Sequence, residues 1–418
     1  MRADGIFGEA VDRIGGEPIS ARMARKAPIR HIDPTLLLVT LILSAYGAVM
    51  VLSVTIHRQV EAGLDPNLFM RRQIAYIVAG IVALILVSFF DYRHFRAFAP
   101  FVYLATLGGL ILVLTPLGYT QGGATRWINL GAFQAQPSEL AKIAVIIVLA
   151  AYLAERKGEV HALDILFCLG AVAIPSALIY LEPDLGTMMV FVALTGGLLL
   201  VGGAKLRHFM FLGILGLIGI VVVLQAGLLQ DYQRERLTSF LDPKPDLQDA
   251  GYNLVQAKIA IASGGMRGRG LQIEPGDVPD TDRTVGGLPL EGAPEGQAVA
   301  PSQTTLDFVP EQHTDFVFTA VGEQLGFMGS ATLLGLFAFL IWRALRIAAM
   351  SKDLFGTLLA TGVAALWGFQ LFVNVGMTMG IMPITGIPLP FVSYGGSSLI
   401  TNFIAVGIVL NVHMRRFL

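Results

Sequence analysis

Apolar runs long enough to cross a bilayer recur along almost the whole of this 418-residue chain. They constrain the fold more than any motif does. A bilayer core needs about 20 apolar residues per helix. Ten runs qualify: 36–55, 73–90, 98–117, 139–153, 165–181, 187–203, 209–228, 316–347, 354–379 and 397–412. The sixth is short, and the eighth is longer than one crossing requires. Composition agrees, since 54% of residues are hydrophobic, 14% are charged and the mean hydropathy is +0.67, outside the soluble range. The expected fold is all-α, a polytopic membrane protein of about ten transmembrane helices.

A net charge of −1 supplies no field for nucleic acid or another polyanion. The single cysteine, Cys168, lies in an apolar run, so neither a disulfide framework nor a cysteine metal site is expected. The first thirty residues are polar and basic, and no small-residue cleavage site follows the first apolar run. The expectation is a retained signal anchor, with 1–33 as a cytoplasmic tail and 34–418 as the membrane domain. Lys and Arg set the orientation. Arg22, Arg25, Lys26, Arg30, Arg93, Arg96, Arg156, Lys157, Lys205, Arg207, Arg343, Arg346, Lys352, Arg415 and Arg416 fall on one side. Arg58, Arg71 and Arg72 fall on the other, so the bias is strong without being uniform. Both termini are therefore placed in the cytoplasm, and the 229–315 segment becomes a large extracytoplasmic loop between helices 7 and 8.

That orientation gathers six polar islands on the outer side. Arg126-Trp127 follows two glycines; the indole suits a membrane interface, and the guanidinium could bind phosphate. Glu139 and Lys142 share a helical face at membrane depth. A charge there costs about 2.5–3.5 kcal/mol on insertion scales. The two either satisfy each other or leave Lys142 lining a cavity for an anionic head group. Asp184, in Glu182-Pro-Asp184, reads as a helix N-cap more readily than as a catalytic group. His313 and Asp315 lack a third metal ligand nearby, so hydrogen bonding within the outer loop is the expectation. The run Pro388-Leu-Pro390-Phe-Val-Ser393-Tyr-Gly-Gly-Ser397-Ser398 suggests an irregular re-entrant segment, tolerable where it lines a protein cavity.

The sixth island, 240–252, carries Asp242, Asp246 and Asp249, with Arg234, Arg236, Lys244 and Lys258 nearby. A carboxylate base beside cations that bind pyrophosphate is what glycosyl or phosphoryl transfer needs. A solvated turn rich in Pro, Asp and Gly would have the same composition.

In this order the islands resemble the SEDS family (shape, elongation, division and sporulation) of bacterial cell-wall polymerases. The resemblance is carried by Gly-Ala-Thr-Arg126-Trp-Ile, Gln-Pro-Ser-Glu139-Leu-Ala-Lys142, Glu-Pro-Asp184-Leu-Gly-Thr and Phe240-Leu-Asp-Pro with Asp246 and Gly251-Tyr252. It continues through Gln256-Ala-Lys258-Ile-Ala-Ile-Ala-Ser-Gly-Gly265, Pro-Glu-Gln-His313-Thr-Asp315-Phe, and Asn374-Val-Gly-Met followed by Pro-Leu-Pro-Phe-Val-Ser-Tyr-Gly-Gly-Ser-Ser398. It spans the chain from about residue 36 to the C-terminus, closer to the elongation branch than to the division branch. Relatives pass quickly from Gly270-Leu271 to the His313 motif, whereas this chain interposes an acidic, Pro- and Gly-rich insertion at 272–305.

The resemblance implies a peptidoglycan glycosyltransferase that polymerises lipid II on the outer face of the bacterial cytoplasmic membrane, with undecaprenyl pyrophosphate as leaving group. It places the essential aspartate at Asp246. Arg126, Trp127, Glu139, Lys142, Asp184, Arg236, Lys258, His313, Asp315 and Ser398 become substrate-binding candidates, with a divalent cation, Mg or Mn, as a possible helper. The implied partners are lipid II, the undecaprenyl-linked strand, a class B penicillin-binding protein and other elongation-complex membrane proteins. A lipid II flippase is the rival reading, since intramembrane charges and broken helices suit transport as well. Outward clustering of the polar islands and the lack of evident internal repeats favour the polymerase. A scaffold for the transpeptidase would leave the Asp246 loop without a purpose.

Overall fold

The computed structural model describes residues 31–121, 124–131, 133–225, 250–271, 273 and 312–416. Its helices are α1 (Pro34–Glu61), α2 (Leu68–Phe89), α3 (Tyr92–Val113), α4 (Pro137–Glu155), α5 (Ala162–Leu181), α6 (Leu185–Val201) and α7 (Leu206–Gln225). They continue with α8 (Ala250–Ser263), α9 (Val317–Ala349), α10 (Leu354–Met379) and α11 (Gly396–Met414). Each of the ten expected runs coincides with a helix. Eight of these are long and apolar enough to cross a membrane, and α6 and α7 supply shorter apolar stretches. The chain is a multi-pass membrane protein.

Three features depart from the sequence reading. The Arg126 segment is a small antiparallel sheet, β1 (Gly118–Gln121), β2 (Ala124–Asn129) and β3 (Gln134–Ala135), in the order β1-β2-β3. Between α7 and α9, α8 forms a further helix. The overlong eighth run is broken, because Gly326 takes φ 64 and ψ −160 inside α9. That backbone region is accessible almost only to glycine.

Helix starts follow their caps. Asp33 accepts from the amides of Thr35 and Leu36 at 3.1 and 3.2 Å, with Pro34 in the first turn of α1. Asp353 caps α10 by accepting from Gly356 N at 2.7 Å. Close packing relies on small residues, as expected where lipid offers no hydrophobic drive between helices. A Cβ at Gly80 of α2 would lie 2.4 Å from the Phe403 ring of α11, and one at Gly47 of α1 would lie 2.6 Å from Phe391 O. The innermost side chains include Trp367, Phe191, Phe337 and Phe403.

One end of the bundle is closed by polar bonds. Arg343 Nε lies 2.6 Å from Asp33 Oδ2, and the Tyr92 hydroxyl donates to Asp353 at 2.6 Å. Arg415 donates to Ser88 O at 3.1 Å and Phe89 O at 3.0 Å. Asn411 binds the carbonyls of Val87 and Phe90. The opposite end carries β1–β3, the α5–α6 turn and the segment between α10 and α11.

Gly80→Leu forces a branched side chain into the Phe403 ring. It should cost about 1–3 kcal/mol through overpacking, read as a lower melting temperature of the detergent-solubilised protein.

Candidate active site

The segment 380–395 between α10 and α11 is irregular yet largely buried, with Ile387, Leu389, Phe391 and Val392 at 3% exposure or less. Irregular backbone at membrane depth must be satisfied by protein. Asn374 Nδ2 donates to Ile387 O and to Asp315 O, both at 2.8 Å. Leu389 N donates to Ser393 Oγ at 2.8 Å, and Ser393 Oγ in turn donates to Thr314 O. Gln73 Nε2 reaches Ser393 O at 3.3 Å, and Tyr394 N donates to His313 O at 2.8 Å. Two of the sequence islands are thus tied together through backbone groups.

The others meet them from the side. A Cβ at Gly186, in the first turn of α6, would lie 2.9 Å from Thr385 O, and one at Gly386 would lie 3.2 Å from Asp315 Oδ2. Ser397 Oγ accepts from Gln136 N and donates to Gln134 O, both at 2.9 Å, joining α11 to the strand before α4. Around His313 the rings of Phe69 and Tyr394 close to 5.3 and 5.7 Å between centroids.

The sequence candidates take different places in this assembly. Glu139 and Lys142 are 3% and 2% exposed, with Lys142 Nζ 2.6 Å from Glu139 Oε1. Glu139 sits in the first turn of α4, where the helix dipole favours an acid. Asp184 caps α6, accepting from Thr187 N at 3.1 Å and from Thr187 Oγ1 at 2.8 Å. Arg126 is held by two backbone carbonyls. Its Nε donates to Glu182 O at 3.0 Å and its Nη2 to Pro183 O, which pins β2 to the α5–α6 turn. Trp127 is half-buried in β2 opposite Tyr119. The carbonyls of His313 and Asp315 accept from Tyr394 N in the α10–α11 segment and from Asn374 Nδ2 of α10. Ser398 lies in the first turn of α11, where its carbonyl accepts from Asn402 Nδ2 at 2.8 Å. Lys258 is exposed on α8 and lies over the Gly380 backbone at the end of α10. Asp246 and Arg236, together with Asp242, Asp249 and nearly all of the 272–305 insertion, lie outside the described residues.

Sequence reasoning passed over Glu182. Its side chain is fully buried, and neither carboxylate oxygen has a hydrogen-bond partner among the described residues. Burial pushes this carboxyl up to about 8; Asp184 adds to the shift and Arg126 opposes it. Glu139 Oε2, Ser138 Oγ and both amide atoms of Gln312 are likewise buried without such a partner. Buried polar atoms are costly unless paired, so this concentration suits a region that receives polar ligand or water. The proximity of Glu182 to Asp184 was visible in the sequence; its burial was not. Among the described residues no group of three or more His, Cys, Asp or Glu side chains is placed to hold a metal.

The fold and this outer assembly define a class of membrane enzyme, and sequence comparison gives the class its family. The chain belongs to the cell cycle protein family of FtsW, RodA and SpoVE, whose sequence model matches residues 34–275 and 291–417. The gap in that match falls inside the insertion. Among its relatives is the peptidoglycan glycosyltransferase MrdB of Escherichia coli K12, 36% identical over 395 residues, covering 92% of this chain and 94% of MrdB. The fold is similar to a chain of a peptidoglycan synthase complex that coordinates polymerization and crosslinking, with a TM-score of 0.72 and 30% identity over 92% of this chain and 98% of that one. It is also similar to the rod shape determining protein RodA of Thermus thermophilus, with a TM-score of 0.64 and 27% identity over 93% and 98% of the two chains.

The Glu139–Lys142 contact should appear as coupling. Lys142→Met alone leaves a buried carboxylate without its cation and should cost about 3–5 kcal/mol. Adding Glu139→Gln should recover part of that loss in a thermal double-mutant cycle, whereas strictly additive effects would show that the two do not interact. Glu182 should shape the pH dependence of stability. Its folded value lies above the ordinary 4.5, so the folded protein holds a proton that the unfolded chain releases. Stability from this group is complete below the ordinary value and is lost as pH rises through about 8. Glu182→Gln should flatten the fall in melting temperature across that interval.

Proposed function

We propose that this protein polymerises lipid II into glycan strands, with Asp246 as general base. Support comes from family membership combined with the gathering of the described motif segments at one end of the bundle. In the reaction, Asp246 takes the proton from the acceptor sugar hydroxyl of lipid II as the oxygen forms a bond to the anomeric carbon of the growing strand. The bond from that carbon to the pyrophosphate oxygen breaks, and undecaprenyl pyrophosphate departs with the electron pair. Charge building on the pyrophosphate is stabilised by cations preorganised at the site. Lys142, Arg236 and Lys258 are assigned to that task. Arg126 acts indirectly, by holding β2 against the Glu182 turn.

Asp242, Asp246 and Asp249 are hard oxygen donors of the kind Mg or Mn takes. A cation bound there would supply further charge neutralisation. We place the protein in the bacterial cytoplasmic membrane, with both termini inside, 1–33 as the cytoplasmic tail and the polar assembly outward. A class B penicillin-binding protein is the proposed partner, in keeping with the synthase complex that the fold resembles. Exposed apolar faces such as Leu86, Phe101 and Phe211 can receive lipid or a partner helix. Transport of lipid II is disfavoured by the ion pairs and hydrogen bonds that close the inner end.

Asp246→Asn should reduce polymer formation from labelled lipid II by about two to four orders of magnitude, the range for loss of a positioned base. Asp242→Asn and Asp249→Asn should keep substantial activity. Polymerisation by Asp246→Asn at the unmodified rate would exclude the assignment.

A further inference from the structure

α4 begins without a cap of its own. Its N-cap residue, Gln136, makes no side-chain bond to the first turn, and Pro137 follows it. The third helical position is Glu139. A glutamate at that position ordinarily reaches back to accept from the backbone N–H of the cap residue. Here the amide is already taken. Gln136 N donates to Ser397 Oγ of α11 at 2.9 Å, and the same hydroxyl donates to Gln134 O at 2.9 Å. Glu139 turns the other way, with Oε1 2.6 Å from Lys142 Nζ.

The two partners open to this carboxylate lie on opposite sides of it along the helix. Gln136 stands before Glu139 and Lys142 after it, so a carboxylate drawn to the cap amide is drawn away from the lysine. Glu139 Oε2 has no hydrogen-bond partner among the described residues, and both members of the pair are almost fully buried. An unclaimed cap amide would attract that oxygen strongly, because hydrogen bonds to an ionised acceptor exceed neutral ones and little water competes. Ser397 removes the attraction by occupying the amide.

The serine is itself held in place. A Cβ at the preceding Gly396 would lie 2.9 Å from Phe133 Cε2 and 3.0 Å from Tyr76 Cε1, so the start of α11 is pressed onto two rings. Those rings pack edge-on at 6.0 Å between centroids. α3 closes on the same turn of α4, where a Cβ at Gly109 would lie 3.3 Å from Pro137 Cβ.

We infer that Ser397 is a positioning residue for the Glu139–Lys142 pair: by taking the α4 cap amide from across the bundle, it keeps the Glu139 carboxylate on Lys142. Its effect on turnover rests on the assignment of Lys142 to the leaving pyrophosphate above; its link to Glu139 does not. Among the described residues no hydrogen bond joins Ser397 to either member of the pair, so coupling between them passes through the Gln136 amide.

The link is read first in the thermal stability of the full-length protein in detergent. Lys142→Met leaves the buried Glu139 carboxylate without its cation. In Ser397→Ala that carboxylate has the Gln136 amide to turn to. Lys142→Met should therefore lower the melting temperature by about half as much or less in the Ser397→Ala background as in the unmodified one. Equal decrements in the two backgrounds would overturn the inference. Should Lys142→Met fail to fold, Lys142→Gln carries the same comparison, since it removes the charge and keeps a hydrogen bond to Glu139.

Turnover supplies the second reading. Polymerisation of labelled lipid II by Ser397→Ala should lose about ten-fold in kcat with KM little changed, within what a misplacement of about 1 Å costs. Ser397→Thr retains the hydroxyl and should restore that kcat. Equal loss in the Ala and Thr variants would reject the inference, as would full turnover by Ser397→Ala where Lys142→Gln is impaired. Full turnover by Lys142→Gln would instead remove the Lys142 assignment, and the melting temperatures would then decide the Ser397 link alone.

Discussion

Asn374 spends both hydrogens of one side-chain amide on backbone carbonyls from separate segments, Asp315 O and Ile387 O. Much of the end that carries β1–β3 depends on that pair of bonds. The 380–395 segment has no helical ladder of its own, and its depth leaves its carbonyls dependent on protein donors. With Asn374, Ser393 and Gln73 in place, the chain can leave α10, run irregularly through a buried region, and re-enter as α11. Phe391 adopts φ 65 along the way and packs edge-on against Trp367 and Phe403, both at 5.8 Å between centroids. Packing fixes a backbone that its own sequence would not select.

The two ends of the bundle use polar groups in opposite ways. At one end they close on each other, with Asp33 held by Arg343, Tyr92 bonded to Asp353, and Arg415 and Asn411 seated on the last carbonyls of α2 and the residues that follow it. At the end that carries β1–β3 several buried polar atoms have no hydrogen-bond partner among the described residues, among them both oxygens of Glu182 and one of Glu139. Buried groups of this kind raise the energy of the site until something polar meets them.

Individual residues show how far pattern reading reaches. Asp184 was legible as a cap because the side chain that binds the first-turn amide is local in sequence. Glu139 and Lys142 were legible as a pair because the helical period sets them on one face. Arg126 was not legible in its contacts. Its partners, the carbonyls of Glu182 and Pro183, lie more than fifty residues away, and no periodicity reports such a contact. The missed importance of Glu182 and Ser397 has the same origin, since burial and cross-segment bonding arise only when elements pack. The Gly326 break left only a trace, as an apolar run too long for one span.

The sequence by itself determined the helical, membrane-crossing character of the chain, the places where its helices lie and the motif order that identifies its family, because hydropathy, caps and spacing are local properties. Tertiary structure alone decided which polar islands touch, which carboxylates are buried, and how closely the chain after α8 approaches α9. Those outcomes depend on close approach between segments distant in the chain. At Gly264, Gly268 and Gly326 that approach is possible only because no side chain intervenes, a fact that sequence records as three glycines and packing turns into a joint.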